Sequence, residues 1–163
     1  MFKKILAMSV MMFLAVTAWA ELPSVTLKDI NGKTINTAEL SNDGKPILIS
    51  FWATWCKPCV RELTAIHEVY PDWADELGVK VIAVSIDAAQ DAQKVKPLAE
   101  RKGWAEDYEI LLDPNGEFKR QMGVDIPPHA FIVDGNGNIV WTHQGYVDGG
   151  EQDIYEELVK LTK

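Results

Sequence analysis

Apolar and polar positions along this chain follow two different periods. Near-continuous apolar runs at 46–52 (Pro-Ile-Leu-Ile-Ser-Phe-Trp) and 79–86 (Val-Lys-Val-Ile-Ala-Val-Ser-Ile) read as strands buried on both faces of a sheet. Val25-Thr26-Leu27 and Lys33-Thr34-Ile35 flank Asn31-Gly32 and predict a β-hairpin. Glu109 to Leu112 is a short strand, and segments 129–133 and 138–143 form a second hairpin around Asp134-Gly135-Asn136-Gly137-Asn138. Helical spacing runs from Pro58 to about Glu68. Pro71 is expected to end or kink that helix, with Asp72 to Leu77 adding a short turn. Residues 89–102 predict an amphipathic helix weakened by Pro97, and 116–122 one or two helical turns before Gly123. A closing helix, Glu151 to Leu161, carries acids early and lysines late, as its dipole prefers. Hairpin, β-α-β-α-β, hairpin and helix together predict an α/β domain with parallel central strands and an antiparallel hairpin at the later edge.

The N-terminus has a different character. Lys3 and Lys4 precede an uncharged apolar run from Ile5 to Thr17, and Ala18-Trp19-Ala20 matches a small-x-small cleavage site. The run is short for a span needing about 20 apolar residues. Residues 1–20 are therefore expected to be a signal peptide and 21–163 a single domain. No cysteine follows the apolar run to take a lipid. Losing Lys3 and Lys4 from 16 basic residues leaves 14 against 24 acids, moving the net charge from −8 to −10. So acidic a domain is a poor partner for nucleic acid or an anionic membrane. The expected localisation is periplasmic or otherwise exported, where disulfides persist, with a retained membrane anchor as the alternative to cleavage.

The only two cysteines, Cys56 and Cys59, stand as C-x-x-C where the 46–52 strand gives way to a helix. Backbone N–H groups and the helix dipole at such a junction favour a thiolate, and C-x-x-C in a βα setting reads as a thiol–disulfide redox site. A bridge this short closes too small a loop to be a useful structural staple. Cys56 is expected to attack and Cys59, one helical turn on, to resolve. Lys57 and Arg61 are the cations nearest in sequence. Pro58 falls in the first turn, where its missing N–H costs little. Trp55 is expected to offer partners an apolar surface, and Trp52 to belong to the core. His67 and His143 read as a helix face and a strand surface.

Phe51-Trp52-Ala53-Thr54-Trp55-Cys56-Lys57-Pro58-Cys59 closely resembles the active-site segment of thioredoxins. Pro128-His129-Ala130-Phe131-Ile132-Val133-Asp134 resembles the segment in which that superfamily carries a cis-proline facing the cysteines. In the exported branch similar to TlpA and ResA, the proline is followed by Phe at +3 and Asp at +6. Phe131 and Asp134 fit that register when Pro128 is the cis residue. The resemblance implies a thioredoxin fold: a central mixed β-sheet flanked by helices, with an N-terminal β-hairpin and an inserted αβ segment.

Two departures shift the expected chemistry. Thioredoxins place a buried acid six residues before the first cysteine, where this chain has Ser50. The branch resembling ResA carries a glutamate three residues after the second cysteine, and Glu62 holds that place on the same helical face as Cys59. Glu62 is thus the expected proton acceptor for Cys59. Pro127, before the cis residue, has no N–H to offer a docked substrate chain. His129 is expected near Cys56, where an imidazolium would favour the thiolate.

The resemblance implies an exported thiol–disulfide oxidoreductase acting on protein disulfides, without a cofactor. It implies a reductant recharged by a membrane thiol donor, with apocytochrome c or copper-oxidase assembly factors as typical clients. An oxidant or isomerase would use the same two cysteines, because direction follows from reduction potential. A thiol peroxidase would need Thr three residues before its cysteine, where Ala53 stands. A non-enzymatic alternative is a Cu(I) metallochaperone using Cys56 and Cys59, with His129 as a third ligand. A structural zinc site lacks the ligands it needs.

Overall fold

The computed structural model describes residues 20–162. The expected signal peptide lies outside them, apart from Ala20. Eight strands form one mixed sheet in the order β1-β8-β7-β4-β5-β6-β2-β3 among the described residues. They are β1 (Ala20–Glu21), β2 (Thr26–Asp29), β3 (Thr34–Asn36), β4 (Ile47–Trp52), β5 (Lys80–Ser85), β6 (Glu109–Leu112), β7 (His129–Val133) and β8 (Asn138–Gln144). The strands β4, β5 and β6 run parallel, whereas β7 runs antiparallel to β4. The N-terminal hairpin β2–β3 docks on β6, far from the β7–β8 hairpin. Ala20 pairs with Ile139 of β8, so the sheet reaches one residue into the segment expected to be removed.

Every residue of β4 is buried. Its alternation sends Leu48, Ser50 and Trp52 to one face and Ile47, Ile49 and Phe51 to the other. The first face packs against helix α1 (Lys57–Leu77), the insert helices α2 (Val95–Arg101) and α3 (Trp104–Asp107), and the closing helix α5 (Glu151–Lys160). The second is covered by α4 (Glu117–Gln121) through Phe118 and by Leu22, Val25 and Leu27 of the N-terminal segment. There Phe51 meets Phe118 and Phe131 at ring-centroid distances of 5.2 and 5.8 Å. The consecutive crossovers β4-α1-β5 and β5-α2-α3-β6 deliver their helices to the same face of the sheet, as crossovers of one hand stepping in one direction must.

The prolines act differently from expectation. Helix α1 continues through Pro71 to Leu77 without ending. Proline removes one ladder hydrogen bond, but Trp73 and Leu77 beyond it join the buried cluster that holds Leu63 and Ile66. Burying two more large side chains outweighs that loss, since each contributes about 2 kcal/mol. Gly78, left-handed at φ 63°, closes the helix with its N–H on the Ala74 carbonyl. Pro97 lies in the first turn of α2, where its N–H would have had no helical partner. The predicted 89–102 helix instead comprises a 3₁₀ turn at Ala92–Lys94 followed by α2. The separate α3, introduced by left-handed Gly103, was not expected from the sequence.

The β7–β8 turn is pinned by Asp134, whose Oδ1 accepts from the N–H groups of Asn136 and Asn138 at 2.9 Å each. Gly135 lies so close to the Gly44 carbonyl that a Cβ there would sit 1.9 Å from its oxygen. Gly135→Ala is expected to lower stability by about 2 kcal/mol. Thermal unfolding of the purified variant measures it, and a parental Tm would show that the two loops can separate freely.

Candidate active site

The chain leaves β4 at Trp52 and enters α1 at Lys57, so residues 53–56 form the turn at the C-terminal end of the parallel strands. Cys56 is the N-cap of α1, with extended backbone angles of φ −92° and ψ 99°. Its N–H donates to the Ala53 carbonyl at 3.0 Å, and its Sγ accepts from the Cys59 N–H at 3.3 Å. An unpaired helix N–H thus points at the sulfur that must carry negative charge. The two cysteines form a disulfide. Cys56 is 6% exposed and Cys59 fully buried, so an incoming sulfur can reach only Cys56.

The peptide bond joining Pro127 to Pro128 is cis. Pro128 is buried before β7, and the Pro127 carbonyl oxygen lies 3.7 Å from Cys56 Sγ. Pro128 in turn accepts the Gly145 N–H at 2.8 Å, tying the loop after β8 to this corner. The same loop reaches α1 through an Arg61–Asp148 ion pair at 3.2 Å. Both partners are exposed, so the pair adds little stability. It also directs Arg61 to Asp148. Lys57 is exposed and Pro58 half-buried in the first helical turn.

Three residues past Cys59 on α1 lies Glu62, only 2% exposed. Alternation along β4 turns Ser50 toward α1, and its hydroxyl donates to Glu62 Oε1 at 2.7 Å. Burial pushes the Glu62 carboxyl up to about 7, against the smaller opposing effect of the Ser50 hydrogen bond. The residue in the place of the missing thioredoxin acid is therefore the hydrogen-bond partner of the new one. A buried carboxyl poised near neutrality can accept and return a proton.

His129 departs from expectation. Burial, and then the charge of His143, depress its pKa, with Asp125 opposing weakly. Both effects favour the neutral ring over the imidazolium. It stacks on Phe131 at 4.5 Å, and its Nε2 pairs with Thr142 Oγ1 at 2.8 Å. Phe131 belongs to the cluster on the sheet face away from α1, and β7 sends His129 to that side as well. His143 is exposed and stacks on Trp141. His67 pairs with Asp107 at 2.7 Å, joining α1 to α3. Trp52 is fully buried edge-on against Trp104.

Trp55, 62% exposed, stands beside the disulfide, with exposed Ile126 and Val147 on the loops that flank the cis-proline. A groove of about 630 Å³ runs along Trp55, bordered by Thr54, Lys94, Pro97, Leu98 and Arg101. Among the described residues, no three His, Cys, Asp or Glu side chains converge in a metal-binding cluster. One buried acid near the site escaped the sequence reading: Asp87, just past β5, whose carboxylate accepts from the Thr54 N–H at 2.9 Å. Its position after an apolar strand, at the end of the sheet where α/β sites form, was the available signal.

The sequence matches the AhpC/TSA family model over residues 19–142. Thiol-disulfide oxidoreductase ResA of Bacillus thuringiensis subsp. konkukian is 30% identical over 142 residues, covering 87% of this chain and 77% of that protein. The solution structure of a thioredoxin-like protein from Porphyromonas gingivalis shares 59% identity at a TM-score of 0.78, covering 88% of this chain and 93% of the other. A putative thiol:disulfide interchange protein DsbE from Chlorobium tepidum superposes at 0.75 with 20% identity, over 89% and 97% of the two chains, a likeness of fold. With a helix-capping Cys56–Cys59 disulfide on that fold, the chain belongs to the AhpC/TSA family and is a thioredoxin-like thiol–disulfide oxidoreductase.

Proposed function

We propose that this protein is an exported reductant of protein disulfides, with Cys56 attacking, Cys59 resolving and Glu62 carrying the proton. The observation that bears most weight is Glu62, a buried carboxyl three residues past Cys59 on α1 with its pKa raised to about 7. In the reduced protein, the Cys56 thiolate attacks one sulfur of a client disulfide. That S–S bond breaks, and the second client sulfur leaves as a thiolate and takes up a proton. Cys59 then loses its proton to the Glu62 carboxylate and attacks Cys56 Sγ. The first client sulfur departs, and the Cys56–Cys59 disulfide forms. Two electrons have passed from the dithiol to the client.

An acidic domain that spends two electrons per cycle outside the cytosol needs a thiol donor to restore them. A membrane thiol protein fits that need. Residues 1–20 serve as the export signal in this reading, by the basic, apolar and small-residue pattern of Lys3 to Ala20. No helix among the described residues is long and apolar enough to cross a membrane. Client chains approach over Trp55, Ile126 and Val147, where apolar surface surrounds the attackable sulfur. Pro127 can offer them only its carbonyl. Apocytochrome c and oxidase-assembly proteins are the client classes that the resemblance implies.

Cys56→Ser is expected to abolish reduction of peptide disulfides, whereas Cys59→Ala should leave a long-lived mixed disulfide on Cys56. Mass spectrometry of proteins trapped by Cys59→Ala in the cell envelope identifies the clients; turnover surviving in Cys56→Ser would refute the assignment.

Glu62 makes a second prediction. A carboxyl whose pKa rises from 4.5 to about 7 on folding holds its proton where the unfolded chain has released it. Stability of the disulfide form therefore falls as pH climbs through that window. Glu62→Gln should flatten this slope in Tm measured from pH 4 to 9. It should also slow resolution of the mixed disulfide by roughly 100-fold and remove its dependence on pH near neutrality. Stopped-flow kinetics across the same pH range decide it, with an unchanged profile counting against Glu62 as the base.

A further inference from the structure

Asp87 is a fully buried acid to which the exchange steps above assign no part. It lies two residues past β5, and among the described residues no Lys, Arg or His forms an ion pair with it. Burying a lone carboxylate costs several kcal/mol unless hydrogen bonds replace its hydration. Here three donors do so. Oδ2 accepts from the Thr54 N–H at 2.9 Å and from Ser85 Oγ at 2.8 Å, while Oδ1 accepts from Thr54 Oγ1 at 2.5 Å. The Asp87 N–H donates back to Ser85 Oγ at 3.1 Å.

Two of those three donors belong to one residue, and that residue sits in the 53–56 turn. Thr54 stands between Ala53, whose carbonyl accepts the Cys56 N–H, and Trp55, which flanks the sulfur. Gripping both the backbone and the side chain of Thr54 removes its freedom to rotate. The turn is thereby fastened to the end of β5 as well as to β4, from which it springs. A buried charge held only by hydrogen bonds is costly to maintain, and rigidity of the turn is what it secures.

We propose that Asp87 is a positioning residue for the reaction, holding Thr54 so that the 53–56 turn keeps Cys56 Sγ on the Cys59 N–H at the start of α1. The proposal rests on Cys56 as the attacking thiol. It concerns geometry, and its electrostatic alternative has the opposite sign. A negative charge near Cys56 opposes the thiolate, so removing Asp87 as a mere charge would lower the Cys56 pKa. Removing it as a clamp would loosen the Sγ contact with the Cys59 N–H and raise that pKa.

The test compares Asp87→Asn, Thr54→Val and Thr54→Ser with the parent. Asn keeps one acceptor oxygen for the Thr54 N–H and the Ser85 hydroxyl but sets an NH2 donor where Oδ1 accepts the Thr54 hydroxyl, so it cannot accept from all three donors as the carboxylate does. Thr54→Val keeps the backbone bond and loses the hydroxyl one, sparing Asp87 itself should Asp87→Asn fail to fold. The readouts are kcat/KM for a peptide disulfide and the pH dependence of iodoacetamide alkylation at Cys56 in the reduced proteins. We expect kcat/KM to fall about tenfold in Asp87→Asn and in Thr54→Val, the apparent Cys56 pKa to rise in both, and Thr54→Ser to restore parental values. A lowered Cys56 pKa overturns the proposal, as does a loss of Tm with kcat/KM and pKa unchanged. Failure of the underlying reading is separate, because it would appear as turnover in Cys56→Ser.

Discussion

The whole arrangement depends on where β4 ends. This strand is buried on both faces at the middle of the sheet, with β7 on one side and β5 on the other. Its end therefore cannot move without disturbing two ladders and two apolar clusters. The chain turns from that fixed point directly into α1, and the turn sets Cys56 Sγ on the Cys59 N–H, which has no partner within the helix. Of the two cations nearest in sequence, Arg61 is engaged with Asp148.

Three of the buried polar side chains around that point bear on the site. Ser50 comes from the interior of β4, Glu62 from the second turn of α1, and Asp87 from the end of β5. Ser50 and Glu62 bond to one another in the buried contact between β4 and α1. Asp87 bonds to the turn above the sheet. The first pair retains a titratable group near neutrality, while the second restrains the backbone. Burial makes both possible: it lifts the Glu62 pKa, and it keeps water from competing for the carboxylate of Asp87.

Much of the fold was legible because its strands carry long apolar runs. The runs at 46–52 and 79–86 became β4 and β5 nearly residue for residue, and Glu109 to Leu112 became β6. Prolines were harder to read. Pro71 looks like a helix end in sequence, but what continues α1 is the distant partner of its last turns, Trp73 against Tyr155 of α5. Pro97 looks like a weakness and instead occupies a first turn that needs no N–H. In both cases local propensity is a small term beside packing, and packing partners are remote in sequence.

The sequence by itself determined the chemistry: two cysteines in C-x-x-C after an apolar strand, a glutamate one turn further, and a proline ahead of a later strand. These are local patterns, set by helical and strand periods, and any chain folding those segments would present them in the same order. Tertiary structure alone decided what surrounds each group. It brought Ser50 to Glu62 and Asp87 to Thr54, pairs 12 and 33 residues apart. It also turned His129 away from α1, to Thr142 and Phe131. Proton affinity and rigidity depend on burial and on partners across the sheet, and neither is encoded by spacing along the chain.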